Sequence, residues 1–259
     1  MTPLRAPLVW LRNKTLRDED ALVACYPRSG STWFCFMLFE LLTGGESSFD
    51  SVDRHVPYVG KQFTSLPLLP EGGRVVRSHE PGPGGHKKAI YLVRDVRDVV
   101  VSEYFYERFT NTWCGTLDGF VHRFLKGRVN PFGSWMAHVD SWMNAAASPE
   151  VELTVIRYED LRRDTEGSLG RALEFLGVGA PAERVREVIG NNAIAKMRQK
   201  EERSRYMRSK PKGSARFVRE GSVEGWRQHL TGDQLRLIEA RAGEAMLRLG
   251  YRPETHVSK

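Results

Sequence analysis

The chain has 259 residues and a formal net charge of +7 at pH 7, from 39 basic and 32 acidic residues. This length suits one domain with a substantial core, and no linker or internal repeat divides it, so we expect a single domain over 1–259 with its core at about 20–250. No window approaches the roughly 18 consecutive apolar residues of a membrane span, and the N-terminus lacks the pattern of a signal segment. Three scattered cysteines argue against a disulfide framework and predict a cytoplasmic location.

The first predicted elements are a strand, a short loop and a helix. An apolar run at 21–26 is typical of a buried strand, and the apolar pattern at 33–42 predicts a helix. The loop between them, 27–32, contains Gly30 and three hydroxyl side chains. A helix start offers free N–H groups and a dipole that favours anions. The loop lacks the lysine of the nucleoside triphosphate cradle. Taken alone, it could be a binding site for another oxyanion or an ordinary turn capped by Ser or Thr.

The rest of the chain alternates strands and helices. Residues 43–69 are predicted to be irregular and 198–221 to be a long mobile segment. Strands are predicted at 74–77, 89–93 and 153–157, and helices from Asp95 onward, at 117–126, 134–146, 166–176, 182–190 and 232–249. This order predicts an α/β fold with a central parallel sheet flanked by helices, and a first strand–loop–helix like that of a P-loop.

Polar side chains follow four of the predicted strands, at the edge where parallel sheets bind ligands. They are Arg28 with Ser29, then His79, Arg94 and Tyr158. His79 has a pKa suited to taking a proton from a hydroxyl, although a lone histidine is more often structural. Arg77, two residues earlier on an extended segment, is expected on the same side as His79.

A second pair of candidates is Arg94 and Ser102. Eight helical residues bring Ser102 back to within roughly 80° of the starting direction, so both side chains could meet one phosphate. The alternative is that Arg94 pairs with Asp95 or Asp98 and that Ser102 is an ordinary helix residue.

Together these motifs resemble those of the cytosolic-type sulfotransferases, which use 3′-phosphoadenosine 5′-phosphosulfate (PAPS). The family's Tyr-Pro-Lys-Ser-Gly-Thr-Thr-Trp is similar to residues 26–33, its Lys-Thr-His to 77–79, and its Arg-Asn-x-x-Asp-x-x-x-Ser to 94–102. Its Tyr-Glu-Asp-Leu matches 158–161, and its Arg-Lys-Gly-x-x-Gly-x-Trp is similar to 219–226. The resemblance covers nearly the whole chain, in order.

The resemblance implies a role for each matching residue. His79 would be the general base, and Arg28 and Arg77 would be the other catalytic residues. The cofactor PAPS, which leaves as PAP, would be bound through its 5′-phosphosulfate, its adenine and its 3′-phosphate. The implied binding residues are Arg28, Ser29, Gly30, Ser31 and Thr32 for the 5′-phosphosulfate, Trp33 and Tyr158 for adenine, and Arg94, Ser102, Arg219 and Gly221 for the 3′-phosphate. No metal is implied, because cationic side chains cover the phosphates.

Several positions depart from the family pattern. The first-motif lysine is Arg28, the lysine before the Thr-His pair is Arg77, and the lysine of the last motif is Glu220. The dimerisation segment of the animal enzymes has lost two of its matched positions, so the oligomeric state stays open. The expected partner is a small-molecule or carbohydrate acceptor, walled by segments 49–70, 105–116 and 198–218. Aromatic candidates for that wall are Phe49, Tyr58, Phe63, Phe105, Tyr106, Phe109 and Trp113.

Two other functions fit parts of the sequence. A phosphoryl-transferring P-loop enzyme would share the strand–loop–helix element. It would also need a lysine after Gly30 and a carboxylate that holds Mg²⁺ at a strand end, and the sequence offers neither in the right place. An RNA- or anion-binding protein would account for the net charge of +7. The basic residues form no aromatic-interleaved stripe, so we expect no nucleic-acid partner.

Overall fold

Four parallel strands form the centre of the computed structural model, which describes residues 15–61, 65–209 and 216–254. They are β1 (Ala21–Cys25), β2 (Val75–Ser78), β3 (Lys88–Val93) and β4 (Glu152–Arg157), in the spatial order β2-β1-β3-β4. In the register of the sheet, Ala24 lies opposite Ser78 on one side and Tyr91 on the other. The predicted parallel sheet is confirmed.

Helices cover both faces of this sheet, as the apolar character of its central strands requires. Within the described residues they are α1 (Ser31–Thr43), α2 (Phe49–His55), α3 (Val96–Phe109), α4 (Leu117–Leu125), α5 (Trp135–Ala145), α6 (Tyr158–Arg163), α7 (Thr165–Phe175), α8 (Ala182–Asn191), α9 (Ile194–Arg203), α10 (Arg205–Ser209) and α11 (Gly232–Arg248), with a 3₁₀ turn at Gly225–Gln228. None of these is long and apolar enough to cross a membrane.

The two faces of β1 belong to different cores, because successive strand residues point in opposite directions. In the first core, Ala21, Val23 and Cys25 pack with α1, α2, α7 and α8. In the second core, Leu22 and Ala24 pack with α3, α4, α5 and α11. The fold is therefore a single α/β domain in three layers, and every strand ends at the same edge.

Two segments differ from their sequence-based predictions. Within 43–69, which was expected to be irregular, α2 begins at a capping box between Ser48 and Ser51. The prediction of a mobile segment from 198 onward is wrong as far as 209, because α9 and α10 form there and bury Met197 and Met207 against the first core. The charges that suggested mobility lie mainly on the other sides of these helices. The basic residues at 210–215, Phe63 and the N-terminal segment 1–14 lie outside the described residues.

Candidate active site

A cavity of about 440 Å³ lies at the edge where the strands end. Residues from the ends of all four strands reach it, and so do parts of α1, α3, α9 and α10. Segments 49–70, 105–116 and 198–218, which were expected around the acceptor, each contribute described residues to its wall. The predicted site residues that line it are Arg28, Gly30, Ser31, Thr32, Trp33, Arg77, His79, Arg94, Ser102, Tyr158, Arg219 and Gly221.

The loop after β1 presents an uncapped helix end to this cavity. Gly30 occupies the N-cap position with φ 97°, and no side chain caps α1. The first intrahelical bond runs from the Phe34 N–H to the Gly30 carbonyl (3.1 Å), so the N–H groups before Phe34 have no acceptor within the helix. Such N–H groups and the helix dipole attract an anion.

Ser29 is the one predicted site residue that does not line the cavity. Its N–H donates to the Tyr26 carbonyl (3.3 Å). Its hydroxyl is buried and has no hydrogen-bond partner among the described residues. The turn itself therefore uses the Ser29 N–H, whereas Ser31 and Thr32 line the cavity.

The ring of Tyr158, which follows β4, packs directly on the loop at Gly30. A Cβ atom on Gly30 would lie 2.5 Å from Cδ2 of this ring, so only glycine fits there. The Tyr158 hydroxyl donates to the Gly221 carbonyl (2.9 Å), which connects the loop to the C-terminal motif. Trp33 packs edge-on to Tyr158 at 6.4 Å between ring centroids, and its Nε1–H donates to the Asn192 carbonyl (2.8 Å). The two rings form one aromatic corner of the cavity.

His79 is fixed in one orientation at the end of β2. Its Nδ1 lies 2.8 Å from the Cys25 carbonyl oxygen, which can only accept a hydrogen bond. Nδ1 therefore carries the proton, and Nε2 is left with the lone pair. The rings of Tyr58 and Phe132 flank the imidazole at 5.1 and 5.4 Å. Burial, together with the charges of Arg77 and Arg28, lowers the pKa of His79 to about 4, so the ring is neutral near pH 7.

Arg28 adopts a left-handed backbone conformation (φ 68°), which is uncommon for a residue with a side chain. Its guanidinium lies over the rings of Tyr106 and Phe217, at 4.6 and 4.8 Å from their centroids. Its Nε–H donates to the Ser102 hydroxyl (3.3 Å). The motifs at 26–33 and 94–102 thus meet through a direct contact.

Arg94 also lies in the cavity. Its guanidinium covers the Tyr158 ring at 4.3 Å and donates from Nη1 to the Arg28 carbonyl (3.3 Å) and from Nη2 to the Ser222 carbonyl (2.9 Å). Its Nε is buried and has no hydrogen-bond partner among the described residues.

The predicted alternative for Arg94 was an ion pair with Asp95 or Asp98. Asp95 caps α3 as predicted and pairs with Arg97 instead. Asp98 is 3.8 Å from Arg94 Nη2, and it also accepts from the backbone N–H groups of Glu224 and Trp226 (2.9 Å each). The ion pair with Asp98 exists, but it leaves Arg94 on the cavity wall.

Arg77 lines the cavity and uses part of its guanidinium group for contacts within the protein. Its Nε–H donates to the Val56 carbonyl (2.7 Å) and its Nη2 pairs with Asp53. Its guanidinium lies 4.2 Å from the centroid of the Tyr58 ring. These contacts hold Arg77 beside the His79 side of the cavity, where its charge contributes to the lowered pKa of His79.

Glu103, the residue after Ser102, is a cavity residue that was not predicted from the sequence. This residue lines the cavity and is only 4% exposed. Oε1 accepts from Asn130 Nδ2 (3.2 Å), whereas Oε2 has no hydrogen-bond partner among the described residues. Burial raises the pKa of Glu103 to about 7, against the opposing effect of the Arg28 charge. The available signal was an acidic residue within the apolar run of α3.

The aromatic residues expected at the acceptor wall divide into two groups. Phe49, Tyr58 and Tyr106 line the cavity, together with Phe132 and Phe217, which were not predicted. The remaining described candidates lie elsewhere: Phe109 is in the first core, and Phe105 and Trp113 pack against the second.

The charges of the cavity suit a ligand with several anionic groups. Arg28, Arg94 and Arg219 line it next to the start of α1. The buried Arg94 Nε has no protein acceptor within the described residues, and the guanidinium group favours phosphate-like partners. Across the described ranges, no three His, Cys, Asp or Glu side chains are grouped as a metal site requires.

Known proteins are similar to this chain over most of its length, and they belong to one family. The family model for the sulfotransferase domain matches residues 18–250. Mouse sulfotransferase 2B1 is 29% identical over 248 residues, which cover 89% of this chain and 72% of that protein. Mouse sulfotransferase 2A1 is 28% identical over 252 residues, covering 91% and 87%.

Solved structures share the fold. A mouse sulfotransferase, SULT7A1, in complex with PAP aligns with a TM-score of 0.67 at 22% identity, over 92% of this chain and 88% of that one. Retinol dehydratase in complex with androsterone and the inactive cofactor PAP aligns with a TM-score of 0.72 at 19% identity, over 97% and 88%.

Proposed function

The chain belongs to the PAPS-dependent sulfotransferase family, and we propose that it transfers a sulfonyl group from PAPS to a hydroxyl of a small-molecule or carbohydrate acceptor, with His79 as general base. The observation that carries the proposal is the hydrogen bond from His79 Nδ1 to the Cys25 carbonyl (2.8 Å). This bond leaves Nε2 as a proton acceptor in the cavity that the uncapped start of α1 also reaches.

The residues of the cavity fit PAPS. We assign the 5′-phosphosulfate to Arg28, Ser31, Thr32 and the N–H groups at the start of α1, where the conformation of Gly30 lets the backbone approach closely. The adenine is assigned to the corner formed by Trp33 and Tyr158. The 3′-phosphate is assigned to the group Arg94, Ser102, Arg219 and Gly221. When bound, PAPS supplies the sulfonyl group and leaves as PAP.

His79 removes the proton from the attacking hydroxyl at Nε2. The imidazole is neutral near pH 7, because burial and two nearby arginines disfavour its protonated form. General-base catalysis of this kind contributes about 10²–10⁴-fold. The Cys25 carbonyl keeps the ring in the competent tautomer and would stabilise the imidazolium that forms.

Arg28 and the start of α1 stabilise the negative charge that develops on the leaving phosphate. Both are in place before the reaction, since the Arg28 guanidinium packs against two rings, and preorganised donors are effective in a site that excludes water. Arg77 is the third catalytic residue of the proposal. Its pairing with Asp53 supports a role in which it adds positive charge next to His79 without moving.

A cytoplasmic location belongs to the proposal as well. The three cysteines are all unpaired, with Cys25 and Cys35 buried and Cys114 exposed, and free thiols suit a reducing compartment. We propose no nucleic-acid partner, because Arg28, Arg94 and Arg219 face one cavity and do not form an exposed stripe.

The direct test is a transfer assay with [³⁵S]PAPS in the presence of EDTA and a panel of phenols, aliphatic alcohols and sugars. We expect label on at least one acceptor, with one PAP released per sulfonate transferred, and calorimetric binding of PAP to the acceptor-free protein. A parallel assay with [γ-³²P]ATP and Mg²⁺ tests the P-loop alternative, for which we expect no transfer. Absence of PAP binding together with phosphoryl transfer would reverse the assignment.

A further inference from the structure

Glu103 is the one cavity-lining acidic residue that is almost completely buried and whose carboxylate has an oxygen, Oε2, with no protein partner within the described residues. A buried carboxylate oxygen with no partner is costly. The cost is offset when a ligand donates a hydrogen bond to it, and Oε2 belongs to a side chain that lines the proposed acceptor cavity. Glu103 is therefore a candidate for contact with the acceptor.

The rest of the Glu103 side chain is held in place by the protein. Its Oε1 accepts from Asn130 Nδ2 (3.2 Å), which also donates to the Tyr26 hydroxyl (2.9 Å). Asn130 Oδ1 in turn accepts from the Phe132 N–H (2.9 Å), and the Phe132 ring packs against His79 at 5.4 Å. Residues 130–132 thus connect Glu103 with the proposed base His79, and the hydrogen bond from Asn130 orients the Glu103 carboxylate.

The charges nearby favour a neutral donor over an ammonium group. Arg28 and Arg77 line the same cavity, and the positive charge of Arg28 acts to lower the pKa of Glu103. A positive charge on the acceptor would be repelled by both guanidinium groups. A hydroxyl can donate to the carboxylate without that cost, while the rings of Tyr58 and Phe132 accommodate an apolar frame.

We propose that Glu103 is a specificity-determining residue that accepts a hydrogen bond from a second hydroxyl of the acceptor, so that the preferred acceptors are dihydroxy compounds on an aromatic or similarly apolar frame. This inference rests on the proposed function, because it assigns Glu103 to the acceptor side of the same cavity. One hydroxyl delivers its proton to His79 and receives the sulfonyl group, and the other is held by Glu103 and does not react.

The test compares acceptors that differ by one hydroxyl. Binding of 2-naphthol and of the 2,3-, 2,6- and 2,7-dihydroxynaphthalenes to PAP-saturated protein is measured by calorimetry, and kcat/KM for each is measured with PAPS. At pH 8, above the raised pKa of Glu103, we expect at least one dihydroxy isomer to bind wild type about 10-fold or more tightly than 2-naphthol, as for a hydrogen bond to a charged group.

The variants are Glu103→Ala, Glu103→Gln and, as a matched control, Glu107→Gln. Glu107 lies one turn further along α3 and outside the cavity lining. We expect the preference ratio to fall to about one in Glu103→Ala, to be intermediate in Glu103→Gln, whose amide oxygen still accepts, and to be unchanged in Glu107→Gln. Thermal unfolding and PAP affinity of each variant report whether the fold and the nucleotide site are intact.

Two outcomes separate the inference from the proposed function. A ratio that Glu103→Ala leaves at the wild-type value overturns the inference, while PAP binding and transfer to 2-naphthol continue to support the proposed function. Loss of PAP binding and of all transfer in wild type overturns the proposed function itself.

Tyramine and 4-ethylphenol, which differ by an ammonium group, test the charge argument. A wild-type preference for tyramine that Glu103→Gln removes would contradict the assignment of Glu103 to a neutral hydroxyl.

Discussion

The Nδ1 atom of His79 lies 2.8 Å from the carbonyl oxygen of Cys25, the last residue of β1. The same strand leads directly into the loop that begins α1. One backbone segment therefore sets both the tautomer of the proposed base and the position of the proposed phosphosulfate loop. The alignment of base and donor is accordingly a property of the sheet edge and does not depend on a mobile loop.

The first prediction concerns the ionisation of His79. Burial and the charges of Arg77 and Arg28 lower its pKa to about 4, below the ordinary value of about 6.5. The neutral, proton-accepting form therefore persists as the pH falls from 7, and it is lost only as the pH approaches 4. NMR titration of imidazole ¹⁵N resonances, assigned with His79→Ala, should show this low pKa in the PAP-free protein. A midpoint near 6.5 would contradict the buried environment.

The second prediction concerns Arg28→Lys. Lysine keeps the charge but loses the planar group that stacks on Tyr106 and Phe217 and the Nε–H that bonds to Ser102. We expect kcat to fall about 10-fold in Arg28→Lys and by about 10²–10³-fold in Arg28→Met, where the charge is absent as well.

The control for this series is Arg123→Lys, because Arg123 stacks on Trp113 outside the cavity lining. Its kcat should match that of wild type in steady-state assays. Equal activity of Arg28→Met and wild type would remove Arg28 from the mechanism.

The third prediction concerns Gly30→Ala. Residue 30 has φ 97°, and its Cβ would lie 2.5 Å from Tyr158 Cδ2, so the loop or the ring must shift. We expect a loss of at least about 1 kcal/mol in the free energy of unfolding, with PAP affinity reduced more than 10-fold. Urea unfolding and calorimetry measure the two effects.

Gly170→Ala is the matched control, since a Cβ there meets no atom within 4 Å and the position lies within α7. Alanine should be neutral or slightly stabilising at this helical position. If Gly30→Ala behaved like Gly170→Ala, the close packing of Tyr158 on the loop would be wrong.

The fourth prediction separates the two phosphate sites. Arg94→Met and Ser102→Ala remove groups assigned to the 3′-phosphate, which 5′-AMP lacks. Charge-assisted hydrogen bonds contribute about 1.5–3 kcal/mol each, so Arg94→Met should weaken PAP binding by about 10–100-fold while 5′-AMP binding changes little. Ser102→Ala should act in the same direction with a smaller effect. Equal losses for both nucleotides in calorimetry would place these residues elsewhere on the ligand.

The sequence predicted the sheet well because buried apolar strands such as β1 and β3 are distinctive. All four strands and the polar residues at their ends were found at the expected positions. The helix α2 was missed because only its capping box and two buried residues, Phe49 and Val52, mark it. The basic composition of α9 concealed a short buried face around Met197.

The site was predicted where a motif carried it and missed where only packing does. The family motifs led to His79, Arg28 and Arg94. They gave no indication that the Ser29 N–H is used within its own turn or that Arg77 is engaged by Asp53. Glu103 of α3 and Asn130 of a distant loop meet through a hydrogen bond at the cavity wall, a contact that depends on the tertiary fold.

The most direct test of the account is the comparison of His79→Ala with His122→Ala, an exposed histidine outside the cavity lining. Sulfonyl transfer from PAPS and calorimetric binding of PAP are measured for both variants. We predict that His79→Ala loses transfer by about 10²–10⁴-fold and binds PAP with an affinity close to that of wild type, whereas His122→Ala matches wild type in both. Near-full turnover by His79→Ala would contradict the assignment of His79 as the general base.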